Sequence, residues 1–447
     1  MKKFVSIGLA STLLLASLAG CSSKEDAGSG SAGGKKTTLT VAALESAYEA
    51  DMWKEIVKAF EAENEGVKVE LIIDKNLEDV IGPKMKAGNY PDVVHLATGR
   101  PAALTETMIK DNALRDLTAV MDMKVPGENV TVKEKILPGF LDTSLTKPYS
   151  DGKTYLAPMF YGPCGLFYNA GLFEAKGWSV PTTWEEMWAL GEAAKAEGIA
   201  LFTYPTTGYF DAFFYAMMYS VGGDEFFKKA TSYSEGVWDS DEATQIFNTM
   251  AKLATYTEKT TVANANNDNF TKNQQLILDN KALFMPNGNW VIGEMAEAPK
   301  KDGFKWGFAP LPAFKEGGDL YSYTFFEQVW SPKESKNQEL ANKFIAFLYS
   351  DKAADIFREK GKGGAYQPID GITDKMSNEA KLMYGIYNDG KVKPALGAFA
   401  TTDPVEGVSM ADSLFGTFNS IVSGDKSVDD WRAAVKSASD ALRAALK

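Results

Sequence analysis

The hydrophobic period of the chain changes repeatedly between residues 38 and 96. Residues 38–43 are β-branched and apolar, which predicts a buried strand. Met52, Ile56 and Phe60 then recur at helical spacing until Gly66 supplies a stop. Val67, Val69, Leu71 and Ile73 alternate as a strand, and residues 77–87 form a second amphipathic piece. Gly88-Asn89-Tyr90-Pro91 breaks it, and residues 92–96 read as a short apolar strand. Strand, helix, strand, helix, strand predicts a mostly parallel sheet covered by helices. Ligands of such sheets sit in the crevice beyond the carboxyl ends of the strands, here residues 44–48, 74–76 and 97–100.

A long apolar stretch from Tyr155 to Tyr168, punctuated by Pro158, Gly162, Pro163 and Gly165, predicts a strand with a crossing point. Thr183-Trp-Glu-Glu186 then forms a capping box that opens a helix to about residue 196. A strand at 199–202 restarts the alternation, so a second α/β unit begins. It continues through helices at 209–221, 241–256 and 269–279 and strands at 282–285 and 304–309. Residues 321–330 are again extended, and helices at 337–350 and 353–360 return the chain to the first unit. Amphipathic helices after Ser377 end it. No period of 20–50 residues marks a repeat array.

Lys2 and Lys3 followed by 16 uncharged residues, Phe4 to Ala19, predict a secretory leader over residues 1–20. Leu18-Ala19-Gly20-Cys21 resembles a bacterial lipoprotein box, in which Cys21 is acylated and becomes the first residue. The Ser- and Gly-rich residues after it, up to 37, read as a flexible tether. Two acyl chains suffice for stable anchoring. Removing the leader leaves 427 of the 447 residues, more than one hydrophobic core supports, so two compact units are expected.

The formal charge of −12 becomes −14 without Lys2 and Lys3, and such a chain offers no basic field to nucleic acid. His95 is the one histidine, and Cys21 and Cys164 are the two cysteines. A serine hydrolase triad, a His/Cys metal cluster and a disulfide framework are therefore all disfavoured. Cys164 lies in an apolar run and reads as a small buried hydrophobe. Neither a dinucleotide nor a P-loop glycine motif occurs. Asp239-Ser-Asp241 and residues 264–269 lack the glycine a calcium loop needs, and Glu185 and Glu186 are better explained by helix capping than as a glycosidase pair. These observations predict a protein that is not an enzyme and needs no cofactor.

The chain carries 26 Phe, 18 Tyr and 9 Trp, many beside Gly, Pro and Asn rather than on helical stripes. The clusters are Phe160-Tyr161-Gly162, residues 204–211, Asn287-Gly-Asn-Trp290, residues 323–327 and Gly363-Gly-Ala-Tyr366. Flat apolar faces with polar edges suit ligands that are themselves amphipathic rings.

Several ordered segments over residues 38–447 resemble family 1 of the extracellular solute-binding proteins that feed carbohydrate ABC transporters. They are Tyr90-Pro-Asp-Val-Val94, Asp151-Gly-Lys-Thr-Tyr155, Pro158, Tyr168-Asn169, Phe173, Gly177-Trp178, Pro181-Thr-Thr-Trp-Glu185, residues 282–290, Trp306-Gly-Phe-Ala-Pro-Leu-Pro312, Ser335-Lys-Asn and Ala341-Asn-Lys-Phe-Ile345. The resemblance implies an α/β, periplasmic-binding-protein-like type II fold with two α/β lobes joined by a multi-strand hinge. Lobe 1 would span 38–160 and 328–366, and lobe 2 would span 161–327 and 367–447. A neutral sugar or oligosaccharide would bind between them and pass to permease subunits driven by a separate ATPase. The protein would be a lipid-anchored monomer on the extracellular face of the bacterial membrane.

Carried over by the same resemblance, lobe 1 contacts fall at Glu45, Ser46 and Tyr48, and at Thr98, Gly99 and Arg100. Phe160 and Tyr161 lie near the hinge. Lobe 2 supplies Tyr209, Phe210, Asp211, Asn289 and Trp290, Trp290 being the expected stacking residue. The returning strand supplies Phe326 and Glu327, and Tyr366 and Glu406 complete the set. Residues 44–48 and 95–100 also resemble members that take N-acetylglucosamine-type or N-glycan sugars. The rival readings are a secreted glycoside-acting enzyme and a peptide-binding or adhesive lipoprotein.

Overall fold

The computed structural model describes residues 37–446, apart from residues 47, 49, 101 and 150. The expected leader, Cys21 and nearly all of the tether lie outside the described residues. Thr37, read as tether, instead opens the first strand.

Nine strands among the described residues are β1 (Thr37–Leu44), β2 (Val67–Asp74), β3 (Val93–His95), β4 (Ala157–Asn169), β5 (Ala200–Phe202), β6 (Ala282–Gly288), β7 (Trp306–Ala309), β8 (Leu320–Trp330) and β9 (Val392–Ala395). They join in the order β2-β1-β3-β8-β4-β6-β5, with β7 added to β4 and β9 to β8. β1 is parallel to β2 and β3, and β5 is parallel to β6. The middle differs from the mostly parallel sheet expected: β8 is antiparallel to β3 and β4, and β4 is antiparallel to β6 and β7. The reason is that β4 and β8 carry the chain from one half of the molecule to the other and back. β4 is almost wholly apolar, and β8 mixes polar and apolar residues on both faces, so no alternation betrays their direction.

Around β1–β3, the Asp51–Glu63 helix buries Met52, Trp53, Ile56 and Phe60. Phe60 meets Phe344 of the Gln338–Leu348 helix at 4.9 Å between ring centroids, and Trp53 meets Phe357 of the Asp351–Lys360 helix at 5.5 Å. The late helices thus return to the first half, as the periodicity predicts. Asp92 makes that return specific. Its buried carboxylate accepts from Thr40 N–H, Ser335 Oγ and the N–H groups of Lys336 and Asn337, at 2.8–3.1 Å. Full pairing is what allows a carboxylate to be buried there.

The second half is built around β5, β6 and the far end of β4. Thr183 and Glu186 form the expected capping box on the Trp184–Ala196 helix. Asn169 caps the Ala170–Lys176 helix, which gives Tyr168-Asn169 a structural role. The helix expected to stop near residue 221 runs as Phe210–Thr231 with a break at Gly223, whose φ of 63° is left-handed backbone that glycine tolerates. β9 lies in a region read as wholly helical. On one edge of β8, β3 pairs at residues 329–330 and β9 at 320–323, and no described strand covers the stretch between them. No helix among the described residues is long and apolar enough to cross a membrane.

Candidate functional site

Antiparallel partners share a face of the sheet, so the register of β4 and β8 divides their residues in two. Phe160 opposes Glu327, Gly162 opposes Phe325 and Cys164 opposes Tyr323 on the front face. Tyr161 opposes Phe326 and Pro163 opposes Thr324 on the reverse. Phe325 is 45% exposed, whereas Phe326 is 8% exposed. The front face is therefore open to solvent at Phe325, and it is banked by residues of the first half at Glu327 and of the second half at Phe325.

On the bank formed by the first half, Tyr48 is buried and its hydroxyl donates to Glu327 Oε2 at 2.9 Å. His95 Nε2 lies 2.9 Å from the same oxygen. Burial, and then the Glu327 carboxylate, push the Tyr48 phenol far above its ordinary pKa, so it remains a neutral donor. Phe160 lies beneath, 5.4 Å from Tyr48 and 5.1 Å from His95 between ring centroids. Arg100 turns its fork on Glu78, pairing through Nε and, at 3.1 Å, through Nη2, and also reaches Lys75 O at 3.3 Å. The Glu78 bond holds the guanidinium above its ordinary pKa. Glu45 lies 4.0 Å from Lys75 Nζ. The Ser46 hydroxyl bonds Tyr48, and Thr98 N–H donates to Gln328 Oε1 at 3.2 Å.

The bank formed by the second half is paired differently. Trp290 is half-buried, and its Nε1–H donates to Tyr209 Oη at 3.1 Å. Its ring leans on Tyr209 at 5.5 Å and on Phe325 at 5.9 Å. Gly288 makes that position possible, because a Cβ there would come within 2.1 Å of the indole. Asp211 opens the long helix. Its recessed carboxyl receives the N–H of Ala212, and burial pushes its pKa up to about 7. The Tyr323, Tyr215 and Cys164 groups facing it are also raised, chiefly by burial and then by the Asp211 charge. No lysine or arginine side chain is paired with Asp211 among the described residues.

Six expected site residues fall elsewhere. Phe326 packs 6.0 Å from Phe140 in the core behind the sheet, because strand alternation turns it away from Glu327. Tyr161 is on the same reverse side, against Phe140 and Tyr384, and its hydroxyl has no partner among the described residues. Asn289 donates there to Tyr384 Oη at 2.8 Å, and Tyr366 meets Tyr384 at 4.8 Å. Phe210 is fully buried against Phe418. Glu406 sits on an exposed loop. Conversely, Phe325 and buried Tyr323 lie on the front face, and the sequence reading names them only within the 323–327 aromatic cluster and not among the site residues. The parity of β8 was the signal, since a front-facing Glu327 requires residues 325 and 323 to face the same way. Among the described residues no cluster of three His, Cys, Asp or Glu could hold a metal ion.

The sequence profile described as bacterial extracellular solute-binding protein matches residues 55–364. A diacetylchitobiose-binding protein, NgcE, from Streptomyces coelicolor is 24% identical over 72% of this chain and 68% of its own length. The maltodextrin-binding protein MdxE of Bacillus subtilis is 26% identical over 78% of each chain. The solved bacterial solute receptor AcbH, described as preferring β-D-galactopyranose, superposes with a TM-score of 0.69 at 17% identity, covering 92% of this chain and all of its own. The shared architecture is the two-lobed, periplasmic-binding-protein-like α/β fold. With the profile covering more than half of its length, the chain belongs to the bacterial extracellular solute-binding proteins.

Proposed function

We propose that the chain captures a neutral sugar or oligosaccharide in the crevice floored by β4 and β8 and delivers it to an ABC importer. The observation that carries this reading is the exposed ring of Phe325 beside half-buried Trp290, with Glu327 and Asp211 at its two sides. Aromatic faces stack on pyranose rings, and carboxylates accept the hydroxyl and amide N–H donors around their rims. Arg100 is already committed to Glu78, which argues against an anionic ligand. The names of the relatives, which include a galactooligosaccharide-binding protein, point to the same ligand class. Within it, N-acetylglucosamine-type sugars are the first choice, on the resemblance of residues 44–48 and 95–100 and the relative that binds diacetylchitobiose.

In this reading lobe 1 is 38–160 with 328–366, and lobe 2 is 161–327 with 367–447. The lobes close on the sugar because only the closed form lets both touch it. The chain would perform no chemistry on its ligand. Acylated Cys21 would hold it at the extracellular face of the membrane, where the permease subunits collect the sugar.

Titration calorimetry with N-acetylglucosamine, diacetylchitobiose, maltose and galactose tests the reading, with product analysis alongside. Saturable heat without sugar cleavage is expected. Trp290→Ala should weaken the best ligand about thirtyfold, roughly 2 kcal/mol for an aromatic hot spot. Full affinity in that variant would remove the proposed stacking site, and released product would make the chain an enzyme.

A further inference from the structure

His95 is the one histidine of the chain, and it is fully buried on the first bank of the crevice. It opposes Val329 across β3 and β8, which sets it on the same face of the sheet as Glu327. Trp53, Phe160 and Tyr48 surround its ring at 5.0, 5.1 and 6.1 Å between ring centroids. Its Nε2 lies 2.9 Å from Glu327 Oε2 but out of line for an N–H bond, so neither ring nitrogen completes a hydrogen bond among the described residues.

A desolvated N–H held within reach of an acceptor, with the bond unmade, costs free energy until the two come into line. The proton belongs on Nε2 on electrostatic grounds. A proton on Nδ1 would set the bare lone pair of Nε2 against the Glu327 carboxylate. Each carboxylate oxygen has room for about two donors. On Oε2 the Tyr48 hydroxyl fills one place, which leaves a second beside His95, and no hydrogen bond among the described residues occupies Oε1.

We propose that His95 is a positioning residue for sugar recognition: a ligand donor drawn to Oε1 of Glu327 turns the carboxylate until Oε2 comes into line with the Nε2–H of His95, and that bond, together with the Tyr48 hydroxyl, fixes the acceptor the sugar meets. The bond is completed only in the bound state, so it adds to the affinity of ligands that place a donor at Glu327 and is withheld from those that do not. The inference rests on the sugar-binding reading of the crevice and adds to it a residue that acts through Glu327 without touching the sugar.

Because His95 stands alone, isotopic labelling of histidine nitrogen in the full chain, purified without a histidine tag, reads a single imidazole. Nitrogen NMR should show the neutral Nε2–H tautomer with and without sugar. The Nε2–H proton should move downfield and exchange more slowly when the chain is saturated with whichever of N-acetylglucosamine, diacetylchitobiose, maltose and galactose it binds most tightly. His95→Phe keeps a ring against Trp53 and Phe160 and removes both nitrogens. Sugar affinity should fall about fivefold while the melting temperature holds or rises, because two buried atoms without partners are gone. A purely structural histidine would lose stability and affinity together. His95→Gln places an N–H near the position of Nε2 and should keep affinity within about twofold of wild type, and it carries the comparison if His95→Phe does not fold. In a Glu327→Gln chain, His95→Phe should cost no further affinity, since the two residues act as one unit. An Nδ1–H tautomer, an Nε2–H signal unmoved by saturating sugar, or wild-type affinity in His95→Phe overturns the positioning role and leaves the crevice reading standing. A wild-type chain that binds none of these sugars overturns both.

Discussion

The two banks of the crevice hold similar residue types in opposite states. On the first, Tyr48, His95 and Glu327 converge on one another and Arg100 closes on Glu78. On the second, Trp290 and Phe325 keep part of their rings in solvent, and Asp211 has burial without a paired cation. Groups already paired must exchange partners to bind a ligand, so their net contribution is small. Groups desolvated without partners lose little and gain the whole interaction. The second bank should therefore supply most of the affinity, and the first should supply orientation and closure.

The sharpest way to break this comparison is to separate the faces of β8. Phe326→Ala removes a buried ring from the reverse face and should cost about 3–5 kcal/mol of stability, with sugar affinity little changed in the folded fraction. Phe325→Ala should do the opposite, leaving stability within about 0.5 kcal/mol and weakening binding. Denaturant melts and calorimetry on the pair decide it, and parallel effects in the two variants would mean that the front face is not the floor.

Gly288→Ala tests the second bank without touching a ring. The new methyl would have to occupy space 2.1 Å from the Trp290 indole, so the indole must move. An affinity loss close to the roughly thirtyfold expected for Trp290→Ala should follow, accompanied by a changed tryptophan emission spectrum. Retained affinity would show that the position of the indole, as distinct from its presence, is unimportant.

Much of this arrangement could be read before the fold was known. Strands and helices of the first half announce themselves through periods of two and 3.6, and the Thr183–Glu186 capping box marks a helix start correctly. The antiparallel middle was hidden because its partners lie more than 100 residues apart and neither strand shows a clean polar-apolar alternation. β9 was hidden because it is short and contains Pro394, which weakens a strand signal. Among site residues, Trp290 stood out beside glycine and asparagine, but the 22-residue separation of Arg100 from Glu78 gave no sign that they would pair. Phe325 and Phe326 are chemically identical, and only the parity of the strand assigns one to ligand and the other to core.

Asp211 gives the comparison a pH signature. Burial holds its pKa at about 7, above the roughly 4 of an unfolded aspartate. Between those values the folded chain keeps a proton that the unfolded chain releases, so stability from this group falls as pH rises from about 4 to about 7. Asp211→Asn should flatten that slope and raise the melting temperature at pH 8. A ligand donating to the ionised carboxylate reverses the preference, so affinity should rise with pH through the same window. At pH 8 the variant should bind about tenfold more weakly, in keeping with roughly 1.5 kcal/mol for a hydrogen bond to a charged group. A pH-independent affinity would detach Asp211 from the site.

The smallest effect belongs to the first bank. Tyr48→Phe deletes the hydroxyl that donates to Glu327 at 2.9 Å but keeps the ring against Phe160 and His95. Glu327 remains beside His95 Nε2, so it does not become an isolated charge, and the stability cost should be near 1 kcal/mol. Since the hydroxyl orients Glu327 without supplying the stacking surface, affinity should fall only about threefold. Calorimetry of Tyr48→Phe against Trp290→Ala in one buffer measures the asymmetry directly. A loss as large as that from removing the indole would mean that Tyr48 itself holds the ligand, and that the pairing seen on the first bank is relinquished on binding because the ligand offers something stronger.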